Sequence, residues 1–395
     1  MTTKVFPKIL DGVRILDLTR NIAGPVATMM AAEMGADVIK VEPPDGDEMR
    51  TWPPFIDGHS AYFISCNRGK RSISLDLKSP EDKALFLKLL EHADVLVENY
   101  RPNTLEKLGL GWDQLKLTHP KLVWVSVSGY GRSGPKAQAP AYDSMIQAYS
   151  GVMGITGEKD GGPVRSGGSP IDIATSYLAW GAIMTGIHSV QQTGKGLILE
   201  VSLLESALGF MHAYLQGGLE NATLSPRMGS ETMGMYPMGV FLTQDGSYFL
   251  LQVSNQIQWK KFCEVLVAPE LSDDVRFQTN PDRVNNREVL RPLIQNYLSK
   301  KTAQEWEEIL TKAGVPASQV RTVQEVIEND QVISRNMIKN VALPNGKEIK
   351  TWGMPVKINE KSADDVHAIP DLNQHRNDIL TELKLLDNSI QHLKK

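Results

Sequence analysis

The sequence predicts an α/β protein with a doubly wound parallel sheet and a second, smaller α+β domain near residues 226–325. Three observations predict it. Apolar, strand-like runs alternate with helical patterns from residue 13 to about 128, the rhythm of a parallel sheet. The first such unit is punctuated by proline at the start of its helix and glycine at the end. The rhythm then breaks at "SPRMGSETMGMYPMG", beyond which a hairpin pattern and amphipathic helices follow.

Residues 13–18, "VRILDL", read as a buried strand, "TRNIAG" as a turn and 25–35, "PVATMMAAEMG", as a helix. "DVIKVE" at 37–42 is the second strand and completes a βαβ unit. "SISLDL" is a strand, "SPEDKALFLKLLEHA" a helix opened by Ser79 and Pro80, "DVLVENY" a strand, "PNTLEKLGL" a short helix and "KLVWVSVSGY" a strand. A glycine-rich loop, "GEKDGGPVRSGGSP", precedes a helix from 171 to about 192. Its run "SYLAWGAIMTGIHSV" is too short to span a bilayer and reads as a buried helix. "GKGLILEVSLLESALGFMHAYL" is a strand and a helix, and a hairpin turns on Asp245-Gly246. "IQWKKFCEVL" and the stretch from Asn285 to Gly314 are amphipathic helices. The tail has strand character from Val341 and ends in an amphipathic helix to Leu385.

Composition narrows the function. A chain of 395 residues suits two domains. A net charge of −4 argues against nucleic-acid or anionic-membrane partners. The distant cysteines, Cys66 and Cys263, suggest neither a disulfide framework nor a metal knuckle and suit a reducing compartment. The N-terminus lacks the apolar core of a secretory leader, so a cytoplasmic location is expected. The histidines are scattered without metal-ligand spacing, so no metal is expected.

The stretch "SVSGYGRSGP" places Gly129, Gly131 and Gly134 in the spacing of a dinucleotide-binding turn. That turn works only by opening a helix whose free N–H groups take the pyrophosphate. Pro135 follows the last glycine and a second proline comes soon after, so the match fails its context and reads as a decoy. The first βαβ unit is the better nucleotide site, with Gly24 before the helix and Glu42 where an acidic residue meets a ribose hydroxyl. A βαβ unit with no nucleotide stands equally beside it.

Asp172, in "GGSPIDIATSY", falls on the first turn of its helix, with Ser169 placed to cap and Pro170 to begin it. The helix dipole favours an ionised carboxylate there, and such a carboxylate attacks activated carbonyls. An ordinary stabilising acid at a helix start is the plain alternative. "NRGKRSISLDLK" is a basic turn and strand suited to phosphates, or else a solvated charged loop. Met228, Met233, Met235 and Met238 form either a mobile apolar lid or an irregular core edge.

Taken together, "LDGVRILDLTRNIAGPVATMMAAEMGADVIKVEPPDGDEMR", "NRGKRSISLDLK", "VLVENYRPNTLEKLGLGWDQL", "SVSGYGRSGP" with "YDSMIQAYSG", and "GGPVRSGGSPIDIATS" resemble the family III CoA-transferases. That group contains formyl-CoA transferase, carnitine CoA-transferase and α-methylacyl-CoA racemase. The resemblance implies a large Rossmann-like domain built from 1–225 and 326–395, the small domain between, and two subunits interlocked as a homodimer. It places Asp172 as the nucleophile. For coenzyme A, the substrate carrier, it implies contacts at Asn21, Ile22 and Ala23, at Leu75 and Lys78, and at Asn99, Tyr100 and Lys107. Lys107 stands where formyl-CoA transferase has an arginine, which keeps charge without the bidentate fork. The segment 227–239 is the lid candidate and departs from the tetraglycine loop of formyl-CoA transferase.

The implied reaction moves CoA from a donor acyl-CoA, succinyl-CoA among the candidates, to a carboxylic or dicarboxylic acid through a covalent aspartyl intermediate. Backbone N–H groups near Gly167 and Gly168 are placed to stabilise its oxyanions. The racemase branch needs a histidine where this chain has Tyr142, a weak base near neutrality that would instead line the acyl pocket. Arg165 is either a partner for a distal carboxylate or a surface residue. A 2-methylacyl-CoA racemase, an NAD-dependent oxidoreductase and an inert CoA binder remain the alternatives.

Overall fold

Six short strands carry the first sheet: β1 (Arg14–Asp17), β2 (Asp37–Glu42), β3 (Arg71–Ser74), β4 (Val95–Glu98), β5 (Val123–Ser128) and β6 (Leu197–Ser202). The computed structural model describes residues 7–224, 226–363 and 368–393, with side chains as far as 384. The first six residues, read above as carrying no leader, lie outside that set. Strands β4 and β5 are buried along their whole length, as a parallel sheet covered on both faces requires. The strands run parallel in the order 3-2-1-4-5-6. That order reverses direction between β1 and β4, and the crevice beyond their carboxyl ends is the natural ligand position in such a sheet.

Helix α1 (Ala23–Glu33) follows β1. It begins two residues earlier than the sequence pattern suggests, because the Ile22 carbonyl already accepts the Val26 N–H at 3.0 Å. Pro25 is therefore its third residue. Two later helices matter for the site: α2 (Asp143–Ser150) and α3 (Pro170–Thr193). Helix α3 is not buried all round. Ile171, Thr175, Ala179 and Ile183 are buried at four-residue intervals, whereas Tyr177 and Leu178 are exposed.

The chain divides into two compact units, one of residues 1–150, 167–211 and 329–395, the other of 151–166 and 212–328. The division differs from the sequence reading, which gave the smaller domain 226–325. Arg227 donates to the carbonyls of Gly154 and Gly161, and the Gly229 N–H to that of Gly157, tying the earlier segment to the later one. Tertiary hydrogen bonds of this kind leave no periodic signal. In the larger unit the C-terminal helix Arg376–Leu393 packs Ile379 and Leu383 with Leu16, Ile39, Ile73 and Trp124. Its Glu382 pairs with Arg71 at 2.7 Å. The smaller unit builds an antiparallel sheet from Met238–Leu242, Tyr248–Gln252 and Ala317–Gln319 over a core of Phe241, Phe249, Trp259, Phe262 and Trp306.

Candidate active site

The turn after β1 and the turn after β4 meet at the switch point of the sheet. Asn99 clamps them together: its Oδ1 accepts the Arg20 N–H at 2.9 Å and its Nδ2 donates to the Arg20 carbonyl at 2.8 Å. Asn21 takes a left-handed conformation (φ 63°), which asparagine tolerates better than most residues. Two cavities open here. One, of about 190 Å³, is lined by Asn21, Asn99, Tyr100, Ser128, Gly129 and Tyr142, among others. The other, of about 530 Å³, is lined by Arg20, Leu75, Lys78, Tyr100, Thr104 and Leu108, among others. Tyr100 borders both, with the Arg20 guanidinium 5.5 Å from its ring centre.

The structure thus brings Asn21, Leu75, Lys78, Asn99, Tyr100 and Tyr142 to adjoining cavities. Ile22 and Ala23 are buried at the start of α1 and line neither, and Lys107 is exposed one residue before Leu108. Helix α1 starts with no side-chain cap and no acidic first-turn residue, leaving its N–H groups at the switch point. Arg20 was not singled out in the sequence. Its place as the basic residue of the turn after β1 is the signal that would have found it.

Two sequence readings are overturned. Within the stretch Asn67–Lys78, the basic residues from Arg68 to Arg71 are neither a phosphate site nor a solvated loop. Lys70 is buried and donates to Asp17 at 2.8 Å, Asn67 at 2.9 Å and the Pro25 carbonyl at 2.9 Å. Buried Arg68 pairs with Glu33 at 2.6 Å, and Arg71 with Asp37 at 2.7 Å. Lys78 alone of the stretch's basic residues lines the cavity. Glu42 likewise offers no carboxylate to a ribose. It is buried and accepts from Arg50 at 2.7 and 2.8 Å, Ser72 at 2.6 Å and the Asp47 N–H at 3.0 Å.

Asp17 and Lys70 belong to a buried network that holds the β1 turn from beneath. Asp17 accepts from the Thr19 N–H and hydroxyl and from Thr28, and Lys40 bridges the Thr19 carbonyl to Asp47. Burial alone would raise the Asp17 carboxyl, but Lys70 and Lys40 outweigh it and hold it down at about 2.

Asp172 sits on the first turn of α3, as expected, but not as the dipole argument has it. Burial first, and then the neighbouring Asp143 charge, push its carboxyl up to about 7. Ser169 makes no side-chain cap. The cap comes from α2 instead: Asp143 Oδ2 accepts the N–H groups of Ile171 at 2.8 Å and Asp172 at 3.0 Å. No local pattern announces a cap supplied from 29 residues away. Arg165 is exposed, with its Nη1 3.3 Å from the Ser166 carbonyl.

The glycine motif serves the same neighbourhood differently. No helix begins after β5 until Asp143, so the motif opens none. A Cβ on Gly129 would lie 2.2 Å from that of Ala141, and Gly131 sits at φ 93°. The glycines let the loop fold back against the smaller cavity. Among the described residues no cluster of three or more His, Cys, Asp or Glu is placed to hold a metal ion, and no helix is long and apolar enough to cross a membrane.

Comparison with known proteins fits this geometry. Residues 10–376 match the family model described as CoA-transferase family III. Succinyl-CoA:glutarate CoA-transferase of Mus musculus is 36% identical over 96% of this chain and 87% of its own length. Acetyl-CoA:oxalate CoA-transferase of Acetobacter aceti is 37% identical over 93% of this chain and 94% of its own. A crystal structure of a CAIB/BAIF family protein from Brucella suis superimposes with a TM-score of 0.85 at 34% identity, covering 96% of this chain and all of that one. An α/β chain with this strand order, this switch-point crevice and relatives of this kind is an enzyme, and it belongs to CoA-transferase family III.

Proposed function

We propose that the enzyme moves CoA from succinyl-CoA to a dicarboxylic acid through covalent intermediates on Asp172. The observation that carries this reading is the half-buried, proton-hungry Asp172 carboxyl at the head of α3 in a member of this family. A carboxyl near 7 lies much closer to the free thiol, at about 8.5, than an ordinary aspartate does. That narrows the free-energy gap between a thioester and an aspartyl anhydride.

Asp172 attacks the donor thioester, forming a mixed anhydride and releasing the CoA thiolate. The thiolate attacks the aspartyl carbonyl, which frees the donor acid and leaves an aspartyl-CoA thioester. The acceptor carboxylate attacks that thioester, giving a second anhydride and thiolate. The thiolate then attacks the acceptor's carbonyl, and Asp172 is restored. The acyl group stays activated throughout, so no ATP is consumed. Asn21, Leu75, Lys78 and Tyr100 supply the CoA-binding surface, with Asn99 holding the turn that carries Asn21 and Lys107 at the phosphate end. The succinyl donor and dicarboxylic acceptor are supported by the name of the glutarate-acting relative. Two buried free cysteines support a cytoplasmic site, and the exposed Tyr177 and Leu178 of α3 support a homodimer that covers them.

Incubation with a panel of acyl-CoA donors and carboxylic acids, read by mass spectrometry of CoA esters, tests this. Succinyl-CoA with a C4–C6 dicarboxylate is expected to give the exchanged ester. Epimerisation of a 2-methylacyl-CoA without exchange, or reduction of a nicotinamide cofactor, overturns the proposal.

A further inference from the structure

We propose that Asp143 is the positioning residue for Asp172: its carboxylate caps α3 from a neighbouring helix and sets a buried acid beside the half-buried reacting one. The proposal rests on the reading of Asp172 as nucleophile. Asp143 is only 5% exposed, and each of its oxygens has a defined partner. Oδ2 accepts the first two available N–H groups of α3, those of Ile171 and Asp172 itself. Oδ1 accepts from Gln147, one turn along α2, at 2.5 Å. The residue that should cap α3 locally, Ser169, makes no side-chain bond to it, and Pro170 has no N–H to offer. The backbone of the nucleophile is thus fixed by one carboxylate supplied by another element.

The charge of Asp143 has a second effect. Among the described residues, α1, α2, β5, β6 and the helix Leu203–Phe210 pack against α3. Their other acids are engaged elsewhere: Glu33 with Arg68, Glu200 with Arg132 and Glu205 with Ser202. Tyr142, just before α2, and Tyr149 upon it are the remaining titratable groups on that side, and Tyr149 packs on Tyr130. Among the described residues, Asp143 is the charge set against Asp172, and it acts by repulsion. Repulsion keeps the Asp172 carboxylate basic, and a more basic carboxylate is the better nucleophile toward a thioester.

Two variants separate the cap from the charge. Asp143→Asn keeps an oxygen for the α3 N–H groups and loses the charge, whereas Asp143→Ala loses both. The readout is the pH dependence of kcat/KM for exchange, together with acylation of Asp172 followed by peptide mass spectrometry. In the native enzyme the acid limb is expected near 7, set by Asp172. In both variants it moves down by roughly one pH unit, so relative activity at low pH rises. The plateau falls several-fold in the asparagine variant and about 100-fold in the alanine variant, mainly in kcat. Acid limbs that stay in place in folded variants overturn the proposal, even if activity falls, because a purely structural role does not move the limb. Should neither variant fold, Gln147→Leu removes the bond that orients the Asp143 side chain while keeping its charge, and a kcat equal to the native value there counts against the positioning role. Absence of any acyl group on Asp172 in the native enzyme would instead sink the nucleophile reading.

Discussion

Asp172→Ala is expected to abolish CoA exchange, lowering kcat by roughly four orders of magnitude or more, as removal of a covalent nucleophile does elsewhere. CoA itself should bind nearly unchanged, because the cavities at the switch point are lined by other residues. Exchange assays and equilibrium binding together check both halves. The same site carries a stability consequence with a definite sign. The Asp172 carboxyl titrates near 7 in the fold against about 4 in the unfolded chain. Its proton is therefore held more tightly by the folded state, and stability falls as pH rises from about 4 to 7. Above that window the ionised group costs the fold up to about 4 kcal/mol. Asp172→Asn removes that cost, so the variant should melt several degrees higher than the native enzyme at pH 8, and the two should converge below pH about 4. An inactive enzyme that is more stable is the signature of a residue kept for chemistry.

Lys70→Met is expected to cause the largest loss of stability. It removes the close partner of Asp17 while leaving the Asp17 carboxylate fully buried. Breaking a buried pair from one side costs about 3–5 kcal/mol, which lowers Tm by about 10 °C in a unit of this size. The double variant Asp17→Asn with Lys70→Met should recover much of that loss, since a buried pair is worth far less than its halves left alone. Differential scanning calorimetry of the two singles and the double measures the coupling. The network also fixes a pH dependence opposite to that of Asp172. The Asp17 carboxyl is held at about 2, so its contribution is present above pH about 4 and is lost as pH falls toward 2. Because Thr19 hangs from both Asp17 and Lys40, the single variants should also weaken CoA binding through the Arg20–Asn21 turn.

What was legible in the sequence was the part encoded by local periodicity. The β2 pattern at 37–42 coincides with the strand, and the hairpin on Asp245-Gly246 stands where the turn pair places it. Asp172 was visible because Pro170 marks a helix start. What stayed hidden were charges whose partners come from elsewhere in the chain. Lys70 reads as part of a basic loop, yet its counter-charge lies 53 residues away at Asp17. Glu42 reads as a ribose ligand until Arg50 and Ser72 are seen to saturate it. The Asp172 environment depends on Asp143, which periodicity assigns only to the start of another helix. In each case the missing term is a tertiary contact that changes solvation or charge without altering the local pattern.

The central claim is that Asp172 exchanges an oxygen with the acids it serves. If the acceptor carboxylate attacks an aspartyl-CoA thioester, one acceptor oxygen must remain on Asp172 when the new thioester leaves. Turnover with an ¹⁸O-labelled dicarboxylate, followed by proteolysis and mass spectrometry, reads this directly. The account predicts ¹⁸O in the carboxylate of the peptide carrying Asp172, growing with turnover and absent when donor acyl-CoA is withheld. Rapid CoA exchange with no label in that peptide would contradict it.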